Sequence, residues 1–152
     1  MIIAISIDTR QLGRFHRLTG PELAKRAALA VDETAAKIAS VATRDAPRDT
    51  GALAASITWD TWGTPNHVWG RVFSPLPYAV AVEYGRKPGG PMPPKGELLR
   101  WMARHDIPES AEDAIRRKIA IKGVAPRPFL RPALAAHEAY FVAALRRHMF
   151  GA

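Results

Sequence analysis

The chain has 152 residues and a net charge of +8, from 22 Lys and Arg against 14 Asp and Glu. That length suits one domain, residues 1–152, able to bury about two-thirds of its unfolded surface. The absence of cysteine excludes disulfides and thiolate metal sites. No apolar run approaches the roughly 20 residues of a membrane helix. The opening MIIAISIDTR lacks the basic start and apolar core of a signal peptide, so the expectation is a protein made in the cytoplasm.

Residues 2–8 alternate, with Ile3, Ile5 and Ile7 on one side and Ala4, Ser6 and Asp8 on the other, which predicts a strand. DTRQLGRFHRL then suggests a short turn or helix. A long helix follows: Thr19 and Glu22 have capping-box spacing and Pro21 suits a first turn. Leu23, Ala27, Val31, Thr34, Ile38 and Val41 form its apolar stripe, and the many alanines favour close packing on a sheet. Pro47 ends it.

Asp49-Thr50-Gly51 is turn chemistry, in which the Asp side chain bonds backbone amides and glycine accepts positive φ. SITWDTW and HVWGRVFS predict two strands joined through GTPN. Ile57, Trp59 and Thr61 share one face. Val68, Gly70 and Val72 share a face of the second strand, with Trp69, Arg71 and Phe73 opposite. YAVAVEYG reads either as strand or as one to two helical turns; the spacing of Tyr78 and Val82 favours helix over 77–83, closed by Gly85. An exposed Pro/Gly-rich loop, 86–94, follows this apolar run and its single acid, Glu83.

Three more helices are predicted. KGELLRWMARH carries Leu98, Leu99 and Met102. SAEDAIRRKIAIKG opens with Ser110 and Asp113 at capping spacing and stops at Gly123. RPALAAHEAYFVAALRRHM starts at Pro132 and puts Leu134, Phe141, Leu145 and Met149 on one side, after a stiff approach through Pro126 and Pro128. The predicted fold is α+β: a small, mostly antiparallel sheet with a long N-terminal helix and C-terminal helices packed against it.

Catalysis leaves little trace. The histidines at 16, 67, 105, 137 and 148 lack metal-ligand spacing, and no nucleophile elbow, phosphate loop or dinucleotide fingerprint occurs. No catalytic residue, metal ligand or cofactor site is assigned. A hydrolase pairing Glu83 with Asp49 has no support beyond residue type. A nucleic-acid module is the runner-up, because Trp59, Trp62, Trp69 and Arg71 lie on adjacent strands and such faces can stack bases. Core tryptophans explain the same pattern. The basic clusters Arg116-Arg117-Lys118 and Arg146-Arg147 fall in predicted helices and read as solvated faces.

Taken in order, APRDTGALAASI, the strand pair, YAVAVEYGRKPGGPMPP, LLRWMARH and APRPFLRPAL resemble the tail-completion or neck proteins of tailed bacteriophages, a minor tail family encoded among the head–tail joining genes. The resemblance spans about residues 20–150 and leaves the N-terminal strand outside. Its structural motif positions fall on Asp49, Thr50, Gly51, Tyr78, Glu83, Gly85, Pro128, Phe129 and Pro132. It implies a virion structural protein without enzymatic activity, a homo-oligomeric ring at the head-proximal tail end, hexameric or else dodecameric. The expected partners are connector, tail terminator and tail tube proteins. Arg86, Lys87, Pro88, Pro91, Pro93 and Pro94 are the candidate partner contacts, since proline-rich arms lose little entropy on docking. Packaged DNA passing the joint would meet Arg44, Arg48 and Arg71 without sequence readout.

Overall fold

The computed structural model describes residues 1–12 and 19–151. The remainder of DTRQLGRFHRL, His16 included, lies outside the described residues, after a single helical turn, α1 (Thr9–Leu12). The chain divides into two compact units, Met1–Ala79 with Pro128–Ala152, and Val80–Arg127.

The first unit is built on three strands, β1 (Ile2–Asp8), β2 (Thr58–Thr64) and β3 (His67–Phe73), in the order β1-β3-β2 with both pairings antiparallel. Register sets Ile3, Ile5 and Ile7 opposite Val72, Gly70 and Val68, which face Trp59, Thr61 and Gly63 on the far side. These residues form the face turned to the long helix α2 (Gly20–Asp45). The expected stripe is the one buried: Leu23, Ala27, Val31, Thr34 and Ile38 are all 3 % exposed or less, with Ala42 rather than Val41 closing it. Small side chains let helix and sheet meet closely. A Cβ placed on Gly70 would lie 2.5 Å from a methyl of Val31, so this position has no room for one.

Thr19 is the N-cap of α2, but its side chain makes no cap bond. Its carbonyl instead accepts from the Leu23 amide, and Glu22 turns to Arg26 one helical turn on. Gly51, at φ +79°, opens a four-residue helix, α3 (Ala52–Ala55), where sequence reading anticipated a turn running into a strand. The strand therefore starts at Thr58. Its hairpin closes on Pro65 and Asn66 alone, because Gly63 and Thr64 stay in the ladder.

At the C-terminal end, the single expected helix is two: α7 (Leu130–Ala135) and α8 (Glu138–Phe150). His137 sits at the break, its ring Nδ1 2.7 Å from the Ala133 carbonyl, which competes with continuation of the backbone ladder. Phe129 and Leu130 anchor the first helix, both 1 % exposed or less, while Pro128 and Pro132 stay on the surface. Helix α8 packs along α2. Glu33 of α2 there accepts hydrogen bonds from the Tyr140 hydroxyl, from Arg147 at 2.5 Å and pairs with His148 Nε2 at 2.9 Å.

The second unit opens within α4 (Ala79–Tyr84), the helical alternative for YAVAVEYG, ended by Gly85 at φ +71°. Its burial inverts the expectation of an apolar core element. Val80 and Tyr84 are about half exposed, as is Tyr78 just before it, and the acid Glu83 is fully buried. Helix α5 (Leu99–Arg104) buries Met102. A 3-10 turn over Glu109–Ala111 leads into α6 (Glu112–Lys122), so Ser110 lies inside a turn and does not cap. Gly123, at φ +71°, stops α6 as expected.

Candidate partner-contact surface

The loop after Gly85 is exposed along most of its length, yet it is not a free spur. Arg86 exchanges backbone hydrogen bonds of 2.9 Å with Val124, forming an isolated bridge. The Gly89 amide donates to the Ala120 carbonyl at 2.7 Å. Arg116 of α6 donates from Nε to the Pro93 carbonyl at 2.7 Å, while the Arg86 guanidinium bonds the Pro91 carbonyl. Glu112, 5 % exposed, accepts from the Gly96 amide at 2.6 Å. Prolines cannot donate but keep their carbonyls, so Arg116 of α6 supplies a donor to one of them, while the Ala120 carbonyl and the Glu112 carboxylate take up glycine amides. Gly123 makes the approach possible: a Cβ there would meet the Arg86 carbonyl and the Pro88 nitrogen.

Of the six candidate contact residues, Lys87, Pro88, Pro91 and Pro94 are exposed, Arg86 is half-buried and Pro93 is buried. Arg86 is committed to holding the loop's shape. The side chains left facing outward are Lys87, three prolines and Met92, the last 47 % exposed. The loop is thus a braced, largely apolar ridge, which loses little entropy when covered.

In the Asp49-Thr50-Gly51 turn, Thr50 Oγ1 accepts the Ala52 amide at 3.3 Å. The candidate DNA-facing arginines are scattered. Arg44 pairs with its neighbour Asp45 at 2.7 Å, and Arg71 grips Asp60 with two nitrogens, at 2.8 and 2.7 Å. The Asp45 carboxyl is held below the usual carboxylate range by its hydrogen bond from Arg44. Arg48 is exposed and forms no ion pair with a described residue.

The sheet face turned away from α2 is the arrangement that sequence reading only half anticipated. Trp62 and Trp69 stack across β2 and β3, with centroids 6.3 Å apart and planes 12° from parallel. His67 lies 4.2 Å from the Trp69 ring, and the Arg71 guanidinium sits 5.4 Å from Trp62 and 4.7 Å from Phe73. Trp59 is on the opposite face, 42 % exposed, with its indole N–H on Asp32. It is neither a core residue nor part of one platform with Trp62 and Trp69, because its odd position in β2 sends it to the helix side. Arg71, the cation of that platform, is held by Asp60 and stacked between rings.

Among the described residues no group of His, Asp and Glu could hold a metal ion, and no helix is long and apolar enough to cross a membrane. The family model HK97-gp10_like, described as "Bacteriophage HK97-gp10, putative tail-component", matches residues 10–85, half of the chain. The chain belongs to this HK97-gp10-like family. The matched span takes in α2, the β2–β3 hairpin and α4, and ends on Gly85. Strand β1 lies ahead of it, and the loop, α6 and the Pro128-Phe129 anchor lie beyond it. No curated protein and no solved structure matches the chain. As a bacteriophage tail component it is placed in the virion, among other virion proteins.

Proposed function

We propose that this tail component is a ring-forming tail-completion or neck subunit that joins the tail to the head connector, acting by shape and performing no chemistry of its own. Membership of the HK97-gp10-like family carries the reading. The braced proline ridge supports it: a joint between two large assemblies needs contacts whose conformation is set before docking. Each copy offers its neighbours two unlike flanks, as head-to-tail contacts closing by rotation require. Sixfold closure is our choice, with twelvefold the alternative. Connector, terminator and tube proteins are the partners, and the ridge 87–94 is the surface that meets them.

DNA contact draws on Arg48 more than on Arg44 or Arg71, whose charges are matched locally. For the same reason single-stranded nucleic acid over the tryptophan platform has less support, since such grooves need unpaired positive charge along the backbone track.

The test is genetic and structural. A phage unable to make this chain is expected to accumulate full heads and finished tails that do not join. A density map of the wild-type joint is expected to show a closed ring of copies at the head-proximal tail end. Normal joining without the chain, or copies found only elsewhere in the tail, overturns the reading.

A further inference from the structure

The sheet of the first unit ends in two strand edges. Among the described residues, strands β1 and β2 each pair only with β3, both run seven residues, and no backbone hydrogen bond from another element reaches the outer side of either. Natural sheets protect such edges with proline, lysine or short strands. IIAISID and TWDTWGT contain neither residue and are not short.

The two edges also match in what they display. On the face away from α2, β1 carries Ile2 at 57 % exposure and β2 carries Trp62 at 46 %. On the helix side, β2 carries the exposed Trp59, whereas β1 borders a groove of about 380 Å³ lined by Ile5, Ile38, Leu134, Phe141 and Val142. Ala4 and Ile5 point to opposite faces of β1 and both line this groove, so it reaches round the free edge of the strand. One edge presents a large aromatic ring and the other an apolar slot on the same side of the sheet.

We infer that in the ring β2 of one copy lies beside β1 of the next, continuing the sheet between subunits, with Trp59 seated in the neighbour's groove. The inference rests on the ring reading above and adds its subunit contact. Both strands run antiparallel to β3 and so point the same way. A rotation carrying one copy onto the next sets them parallel, the heterologous contact a closed ring uses. Trp59 stands level with Ile3 through their shared partner Val72. A stagger of two residues places it beside Ile5 and the groove.

Area decides between a ring and a pair. A seven-residue edge about 23 Å long and about 10 Å deep covers roughly 460 Å² over both copies. The one docked tryptophan, Trp59, adds at most about 200 Å², giving roughly 660 Å² in all. A stable two-body interface needs about 1,200 Å² or more. One contact is therefore too small to hold a dimer, while closure gives every copy two.

The chain has no cysteine, so introduced thiols report on themselves alone. Ala4→Cys with Thr58→Cys, both exposed positions, tests the staggered register, and Ile2→Cys with Thr58→Cys the unstaggered one. Oxidised in assembled particles, one of the two double variants is expected to give a ladder of multiples of 16.6 kDa ending at the ring size. The single variants are expected to stay monomeric on the same gel. A dimer from a single variant overturns the inference, since like strands would then meet. So does a bond formed only to a different tail protein. No bond in either double variant, with a ring visible in the same particles, ends the strand-edge contact and leaves the ring standing. A chain absent from particles, or present as one copy, ends the ring reading itself. As a check independent of disulfide geometry, Ile2→Lys is expected to deplete the ring from particles without lowering the melting temperature of the free chain. Rings at wild-type yield from this variant overturn the contact.

Discussion

Glu33 concentrates three polar partners on one carboxylate where α8 crosses α2. Its pKa is lowered to about 2 from the ordinary 4.5, first by the hydrogen bond from Tyr140 and then by His148 and Arg147. A depressed carboxylate pKa contributes stability that is complete above the unfolded value and is lost as pH falls toward the folded one. The window here is about pH 4.5 to 2. Because a third of the side chain remains in solvent, Glu33→Gln is expected to cost only about 1 kcal/mol at pH 7. Urea melts of the two proteins should converge between pH 4.5 and 2; parallel curves across that window would show that the cluster contributes nothing. Gly70 makes a second point at this scale. Val31 is β-branched and held in a helix, so it cannot turn away from an added methyl. Gly70→Ala is expected to destabilise by about 1–3 kcal/mol, read as a lower urea midpoint with unchanged slope. An unchanged midpoint would mean that helix and sheet can part at no cost.

Helix α6 works on the loop 86–94 as a brace. Its acceptor at Ala120 and its donor at Arg116 each hold one strut of the ridge. Arg116→Ala is expected to speed hydrogen exchange at Gly89 about tenfold, equivalent to about 1.4 kcal/mol of local stability, while global melting changes little. Equal exchange rates would show the ridge stiff without α6. The Pro128-Phe129-Leu130 step behaves differently. Phe129 is a buried plug at the start of α7, and Phe129→Ala is expected to cost about 3–5 kcal/mol in a denaturant melt. A near-neutral result would contradict its burial.

For the whole molecule, exchanging 87–93 for a glycine-serine linker separates the ridge from the fold. The free chain is expected to keep its far-ultraviolet spectrum, whereas particles made with it should contain unjoined heads and tails. Wild-type joining would dismiss the ridge as a docking surface and leave the ring untouched. Light scattering of the free chain is expected to give either 16.6 kDa or a full ring, with little dimer between. That bimodality follows from contacts too small to hold singly and sufficient when each copy makes two.

Local rules in the chain were enough for the α+β class, the three strands, the buried stripe of α2 and the glycine stops at Gly85 and Gly123. Each follows from side-chain period or from a φ that only glycine adopts easily. The order of short motifs was enough for the phage tail family. Tertiary structure decided what those rules cannot reach. It broke the last helix at His137 and gave Glu22 and Thr19 other partners. It also tied the proline loop to a helix some thirty residues further along the chain. These outcomes depend on which groups meet across the fold, and a hydrogen bond or a steric limit between distant residues has no period for a sequence to display.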